Sequence, residues 1–95
     1  MQIQQTDEFA QRLRKLKDIR AQSRILVAVE RMRSGNFGDS RPVGEGVIET
    51  RLHCGPGYRI YFVRRGSELV VLLLCGNKAS QASDIELART LAKSI

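Results

Sequence analysis

Residues 46–62 have the sequence GVIETRLHCGPGYRIYF, which reads as two β-strands joined by a Gly-Pro-Gly loop. Successive side chains of a strand point to opposite faces, so Glu49, Arg51 and His53 share one face of the first strand. Arg59 follows at the start of the second strand. A guanidinium offers a planar fork that matches phosphate oxygens, so this row of side chains suits a site that grips a phosphodiester. The stretch predicts a β-hairpin and points to nucleic acid as a partner.

A second hairpin is predicted downstream of the first. Gly66-Ser67 fits a two-residue type II′ turn, because glycine tolerates the positive φ that this turn needs at its first central position. The segment Leu69–Cys75 is apolar on both faces, so we expect it to be an interior strand of the sheet. The predicted strands are Val47–His53, Tyr58–Arg65 and Glu68–Cys75, with a short first strand near Ile3.

Two helices are predicted near the N-terminus and one after the last strand. Thr6 and Asp18 are good N-caps, and apolar residues recur at helical spacing after each of them. The last helix is expected to begin at Ser80 or Ser83, because Ser83 and Glu86 have the spacing of a capping box.

The segment 35–46, GNFGDSRPVGEG, contains four glycines and one proline and is expected to be a loop. The predicted element order is therefore β-α-α-β-β-β-α, in which a small antiparallel sheet packs against an N-terminal helical hairpin and a C-terminal helix. A chain of 95 residues is long enough for one core, so residues 1–95 are expected to form a single α+β domain.

The chain is strongly basic. Lysine and arginine outnumber aspartate and glutamate by 16 to 10, which gives a net charge of +6. The basic block between Arg12 and Arg33 holds eight of these cations, against only Asp18 and Glu30. Such a block favours a polyanion such as nucleic acid, although a solvated helix face would have the same composition. The candidate RNA contacts in the block are Arg12, Arg14, Lys15, Lys17 and Arg20.

Neither a membrane span nor a disulfide is expected. The longest apolar run, Leu69–Cys75, has seven residues, whereas a helix that spans a bilayer needs about 20. The first residues, MQIQQTDEF, are polar and acidic and do not resemble a secretory signal. Cys54 and Cys75 lie 21 residues apart without CxxC spacing, and with His53 they lack a fourth zinc ligand. We therefore expect a cytoplasmic protein with reduced thiols, no metal and no cofactor.

Arg59 is the first candidate for chemistry because aromatic residues flank it. Its guanidinium would bind phosphate oxygens, while Tyr58 and Tyr61 would offer rings on which bases stack. The alternative is an arginine of the sheet surface that pairs with Glu49 or Glu68.

Four further residues complete the candidate catalytic set. His53 is the only histidine, and an imidazole can donate or accept a proton near neutral pH. Arg51 shares its strand face. Glu49 would act as a general base or, more simply, orient Arg51 through an ion pair. Lys78 follows the last strand in Gly76-Asn77-Lys78, where its ammonium and the neighbouring backbone amides would hold a phosphate.

The hairpin, followed by a hydrophobic strand and the segment GNKASQASDIELA, resembles the phage-derived Gp49-like branch of the RelE/ParE toxin superfamily. Members of this branch are also called HigB-like toxins or addiction module killer proteins. The similarity covers nearly the whole chain. It implies a RelE-like fold and a type II toxin that is held inactive by a small antitoxin, usually one with a helix-turn-helix domain.

RelE-like toxins cleave mRNA in the ribosomal A site, so the resemblance implies a ribosome-dependent endoribonuclease. In such toxins the RNA 2′-hydroxyl attacks the adjacent phosphate, and no metal is needed. Arg59 matches the arginine that contacts the scissile phosphate. Arg51 falls where these toxins carry a strand lysine, and Lys78 falls near their second catalytic arginine. His53 sits where another basic residue is common, and the basic block would dock on ribosomal RNA.

Two departures from the RelE pattern leave other functions open. Glu49 replaces a strand lysine, and residues 79–95 contain no aromatic residue to stack on the substrate. Glu49, His53 or Asp84 would then serve as the base, or positioning alone would activate the 2′-hydroxyl. The alternatives are a ParE-like inhibitor of DNA gyrase without catalysis and an inactive remnant that binds RNA or only its antitoxin.

Overall fold

The computed structural model describes residues 1–95 and contains one five-stranded sheet with helices on both faces. The strands are β1 Gln2–Gln5, β2 Asp39–Pro42, β3 Ile48–Arg51, β4 Arg59–Arg65 and β5 Leu69–Gly76. Their spatial order is β1-β5-β4-β3-β2. Neighbouring strands are antiparallel, except that β1 and β5 run parallel.

The sheet confirms an α+β fold but differs from the predicted antiparallel sheet in two respects. The parallel pairing of β1 with β5 makes the sheet mixed, and β2 lies inside the segment 35–46 that the sequence predicts to be a loop. All four residues of β2 are polar or exposed, so no hydrophobic alternation marks this edge strand. The prediction for β5 is confirmed, because it is an interior strand with six of its eight residues buried.

The connection between β4 and β5 has three residues rather than the predicted two. Arg65 pairs with Leu69, which leaves Gly66–Glu68 as the turn. Gly66 has a φ of 62°. The prediction of a positive φ at Gly66 is therefore confirmed, but the turn that contains it is one residue longer than predicted.

Helices α1 (Asp7–Lys15) and α2 (Ile19–Arg33) cover one face of the sheet. Both predicted N-caps are confirmed. Thr6 Oγ1 accepts a hydrogen bond from the backbone N–H of Phe9 at 3.0 Å, and Asp18 Oδ1 accepts one from Arg20 at 2.9 Å. The core on this face includes Phe9, Ile25, Val29, Met32, Ile60, Phe62, Val70 and Leu72.

Helix α3 (Gln81–Lys93) covers the opposite face. A single 3-10 turn, Lys78–Ser80, precedes it, and the side chain of Asn77 caps that turn. The predicted capping box is wrong, because Ser83 lies inside the helix and its hydroxyl donates to the carbonyl of Ser80. The core beneath α3 consists of Val43, Val47, Tyr61, Val63, Val71, Leu73, Leu74 and Ala88.

The structure also bears on the membrane and cysteine expectations. None of the helices combines the length and the apolar character that crossing a bilayer requires. Cys54 and Cys75 are both free thiols. Burial raises the pKa of Cys75 to about 11, so its thiol is a poor nucleophile at neutral pH.

Candidate nucleic-acid interface

The candidate catalytic residues gather at one end of the sheet, where β3 ends, β4 begins and β5 ends. Arg51 pairs with Arg59 across β3 and β4, and Arg59 pairs with Gly76 across β4 and β5. His53 lies two residues beyond β3, and Lys78 lies two residues beyond β5. The register therefore brings the cationic residues of three chain segments to one edge. We refer to Arg51, His53, Arg59 and Lys78 as the sheet-end cluster.

Arg59 is the buried member of the sheet-end cluster, with only 3% of its surface exposed. Its Nη1 donates to the carbonyl oxygen of Gly57 at 2.7 Å. Its Nε lies 3.6 Å from Glu49 Oε2 and has no hydrogen-bond partner. The guanidinium thus ties the Gly-Pro-Gly loop to the sheet. The phosphate contact that the sequence predicts for Arg59 does not fit this burial, whereas the alternative pairing with Glu49 does.

Glu49 is completely buried and does not pair with Arg51. Its Oε1 accepts a hydrogen bond from Arg41 Nε at 3.0 Å, and its Oε2 accepts from Tyr61 Oη and Gln81 Nε2, each at 3.0 Å. Burial alone would raise the pKa of this carboxyl, but the hydrogen bonds from Gln81, Arg41 and Tyr61 lower it. The carboxylate is therefore ionised, inaccessible and a weak base, which argues against the general-base role that the sequence suggests.

Tyr58 and Tyr61 are both buried, with 8% and 0% of their surfaces exposed. Tyr61 donates its hydroxyl to Glu49, and burial together with this hydrogen bond raises the pKa of Tyr61 well above its usual value. Gly55 lies so close to the other ring that a Cβ there would approach a ring carbon of Tyr58 to 3.0 Å. Neither ring is free to stack on a base in this structure, contrary to the sequence-based expectation.

His53 is exposed, and a carboxylate that the sequence does not single out holds it. Its Nε2 lies 2.8 Å from Oδ2 of Asp39, the first residue of β2. Asp39 also pairs with Arg51 in the register of β2 and β3. A histidine that is fixed through one ring nitrogen can exchange protons with a ligand through the other. Asp39 is missed at the sequence level because nothing in its segment predicts a strand.

Arg51 and Lys78 are exposed cations without an acidic partner. The backbone amides beside Lys78 are already used by the protein. The amide of Lys78 itself donates to the carbonyl of Pro56 at 3.3 Å, and the next two amides donate to the side chain of Asn77. The amides of Lys78, Ala79 and Ser80 are therefore occupied, while the Arg51 and Lys78 side chains remain free to bind an anion.

The basic block contains two ion-paired cations, Arg12 and Arg33, and six cations without an acidic partner. Arg12 donates from Nε to Glu8 and from Nη1 to Asp84 Oδ1, each at 2.7 Å. Burial opposes the charged form of Arg12, but these bonds raise its pKa. Asp84, the third candidate base, is 2% exposed and also accepts a hydrogen bond from Ser80 Oγ at 2.6 Å. The exposed side chains of the block without an ion pair are Arg14, Lys15, Lys17, Arg20, Arg24 and Arg31.

The chain is similar along its whole length to a protein of Haemophilus influenzae. This uncharacterized protein is 40% identical to the chain over 95 residues, a match that spans 100% of the chain and 96% of the relative. No protein-family model matches the chain. At this identity and coverage the two proteins share one domain, and the chain belongs to the same protein family as the Haemophilus influenzae protein.

Proposed function

We propose that this protein is the toxin of a type II toxin–antitoxin system, with a RelE-like fold, and that it cleaves mRNA on the ribosome. The observation that supports the proposal is the pairing of Arg51 with Arg59 across two antiparallel strands. Like charges directly opposite each other destabilise a sheet. Glu49 compensates the charge of Arg59 but forms no ion pair with Arg51. Arg51 is therefore an unpaired arginine beside a second cation, and a bound anion would neutralise its charge.

The exposed part of the sheet-end cluster fits RNA cleavage by the 2′-hydroxyl. Arg51 and Lys78 would hold the scissile phosphate and stabilise the additional negative charge of the phosphorane. The 2′-oxygen bonds to phosphorus as the bond to the leaving 5′-oxygen breaks. The 2′-hydroxyl loses a proton in this step and the leaving 5′-oxygen gains one. His53, with its ring held by Asp39, would take part in this proton transfer. Arg59 lies behind these groups and is a positioning residue, because it holds the Gly-Pro-Gly loop.

The free cations of the basic block fit a ribosomal partner. Exposed lysine and arginine side chains bind RNA phosphates and release counterions when they do so. On this proposal the protein acts in the cytoplasm, where ribosomes and mRNA are found. Its antitoxin, of the helix-turn-helix type, would carry an acidic or amphipathic segment that complements the cationic surface.

A non-catalytic function is the second candidate, and the burial of three residues favours it. Arg59, Tyr58 and Tyr61 are each at most 8% exposed. The exposed arginine and the stacking ring expected of a RelE-like nuclease are therefore not presented by these residues. A ParE-like inhibitor of DNA gyrase on the same fold would need neither of them. An inactive remnant that binds RNA or only its antitoxin would be equally compatible with this burial.

Induction of matched variants in bacteria tests the nuclease proposal. The wild type, an Arg51→Ala/Lys78→Ala double variant and an Arg65→Ala control are compared by growth and by mapping new mRNA 5′ ends. Arg65 is a suitable control because it is exposed and lies at the opposite end of β4 from the sheet-end cluster. We expect growth arrest with codon-phased cuts from the wild type and the control, and no cuts from the double variant.

Three other outcomes would contradict the proposal in different ways. Arrest without cuts would refute the nuclease, and DNA damage after induction would then identify gyrase as the target. No arrest from a folded wild-type chain would identify the remnant. Cuts that persist in the double variant would refute the roles given to Arg51 and Lys78.

A further inference from the structure

A cleft of about 550 Å³ lies between α2 and the edge of the sheet formed by β2 and β3. Pockets that bind small ligands enclose roughly 300–1,000 Å³, so this cleft, hereafter the α2 cleft, has room for a nucleotide. Part of its lining is apolar and comes from Ala28, Met32, Phe37 and Leu52. Its polar lining includes Arg24, Arg31, Asp39, Arg51 and His53.

The α2 cleft is positively charged, and its arginines have no counter-charge within the protein. Arg24, Arg31 and Arg51 form no ion pair. Asp39 is the one acidic residue of the lining, and it is bound to His53. Cations around a partly apolar cleft focus the positive potential and raise the local concentration of anions. The lining of the cleft therefore suits a ligand that is both anionic and partly apolar.

We infer that the α2 cleft binds a nucleotide of single-stranded RNA next to the scissile phosphate, an assignment that rests on the proposed function. Arg51 and His53 line the cleft and also belong to the sheet-end cluster, so a strand held at that cluster continues into the cleft. Guanidinium planes stack on unpaired bases, and their forks bind phosphates. Arg24 and Arg31 thus supply the stacking surface that the buried tyrosines do not.

Exposed aliphatic side chains on α2 raise the competing assignment of an acidic polypeptide. Leu26 and Val27 are 52% and 49% exposed, but only Val27 lines the cleft. Leu26 therefore lies outside the cleft, whereas the free arginines Arg24, Arg31 and Arg51 line it. RNA is favoured because its charge and its bases would both enter the cleft.

Binding of a short fluorescein-labelled single-stranded RNA, followed by fluorescence anisotropy at several salt concentrations, tests the inference. The test variant is Arg24→Ala/Arg31→Ala, and the control is Arg33→Ala on the same helix, whose side chain does not line the cleft. Each phosphate contact of a single strand contributes about 0.7 to the slope of log K against log salt. We expect the double variant to bind about tenfold more weakly and to lose about 1.4 of this slope, and the control to bind like the wild type.

Equal affinity and equal slope in the wild type and the double variant would overturn the inference. A loss of about half that slope in the control would also overturn it, because each charge would then count equally whether or not it lines the cleft. Labelled poly-glutamate is titrated in parallel. Tighter binding of poly-glutamate than of RNA, lost only in the double variant, would assign the cleft to an acidic polypeptide instead. Circular dichroism checks that each variant is folded.

The mapped mRNA 5′ ends distinguish failure of this inference from failure of the proposed function. RNA binding that depends on Arg24 and Arg31, in a protein that makes no cuts, would support the cleft as an RNA site and refute the nuclease. If Arg24→Ala/Arg31→Ala makes mRNA cuts of unchanged frequency and position, the cleft is not an RNA site, but the proposed nuclease activity is not contradicted.

Discussion

Glu49 joins three strands and a helix through one buried carboxylate. Arg41, Tyr61 and Gln81 donate hydrogen bonds to it from β2, β4 and α3. The charge of Arg59 is compensated by Glu49, whose Oε2 lies 3.6 Å from Arg59 Nε. This Nε has no hydrogen-bond partner. A buried ion pair contributes little net stability, but removal of one partner leaves the other charge buried alone and is strongly destabilising. Glu49 is therefore a structural residue whose loss would disturb the candidate site indirectly.

Replacement of Glu49 by glutamine is expected to destabilise the protein by about 3 kcal/mol at neutral pH, because Arg59 loses its counter-charge. The pKa of Glu49 is lower in the folded protein than its ordinary value of 4.5. The unfolded chain therefore binds the proton first, so the stabilisation is present above about pH 4.5 and is lost as the pH falls through the lower folded value. Urea unfolding should show that the gap between wild type and Glu49→Gln narrows between neutral pH and about pH 3.

The matched control for this measurement is Glu68→Gln, which removes an exposed carboxylate. It should unfold like the wild type at both pH values. A gap between wild type and Glu49→Gln that is the same at both pH values would contradict an ionised Glu49.

The fate of the β3 side chains shows how far a residue pattern can be read from sequence. Alternation predicts that Glu49 and Arg51 share one face, but it carries no information about what covers that face. Glu49 lies beneath Gln81 at the start of α3, whereas Arg51 lies two register pairs nearer the end of the sheet and is exposed. The burial of Glu49 is decided here by a helix more than thirty residues away in the chain, which no local pattern in β3 indicates.

At the scale of elements, β2 organises the site although its composition does not predict a strand. Its residues Asp39 and Arg41 reach His53 and Glu49 respectively. One signal of the pairing is present in the sequence, since Asp39 and Arg41 each carry the charge opposite to that of their partners in β3. These opposite charges can be matched only if the alignment of β2 with β3 is already known. The glycines on either side of β2 instead favour a loop.

If the protein cleaves mRNA as proposed, replacement of Asp39 by asparagine is expected to lower the cleavage by about 10- to 100-fold, as for other residues that orient a functional histidine. Stability should change little, because both side chains of the pair are more than half exposed. Cleavage in a purified translation system and thermal unfolding measure the two effects. In a His53→Ala background, Asp39→Asn should have no further effect on cleavage. An additional loss in that background would mean that Asp39 does not act through His53.

The junction of β5 with α3 is closed by a contact that only glycine permits. A Cβ on Gly76 would lie 1.9 Å from Oδ2 of Asp84. Asp84 cannot easily withdraw, because Arg12 and Ser80 hold its two oxygens at 2.7 and 2.6 Å. This contact places the start of α3, and with it Lys78, against the end of the sheet.

Replacement of Gly76 by alanine is expected to cost roughly 1–3 kcal/mol of unfolding free energy, because the new methyl group overpacks the Asp84 carboxylate. Urea unfolding of a double-mutant cycle checks the cause. In an Asp84→Ala background the same replacement should cost clearly less, since the colliding oxygen is absent. An equal cost in both backgrounds would place the strain elsewhere.

At the scale of the whole molecule, the proposed function implies that the net charge of +6 governs association with RNA. Binding to ribosomes is expected to weaken by about 10³-fold between about 50 mM and about 200 mM salt if roughly six phosphates are contacted. Cosedimentation measures this dependence. Lys17→Ala/Arg20→Ala should reduce the slope of log K against log salt by about two. The control Arg65→Ala/Lys93→Ala removes equal charge from exposed sites outside the basic block and should leave the slope unchanged. If the control reduces the slope as much as Lys17→Ala/Arg20→Ala does, docking through the basic block is contradicted.

The parallel pairing of β1 with β5 is the long-range feature that local patterns do not show, and it has a consequence for synthesis. Gln2 pairs with Leu69, and α1 rests on the same late strand. The first strand and helix are therefore synthesised more than fifty residues ahead of the strand that orders them, since α1 ends at Lys15 and β5 begins at Leu69. The folded sheet is completed only after β5 has been translated. On the proposed function, the nascent toxin stays harmless to the ribosome that makes it until β5 emerges.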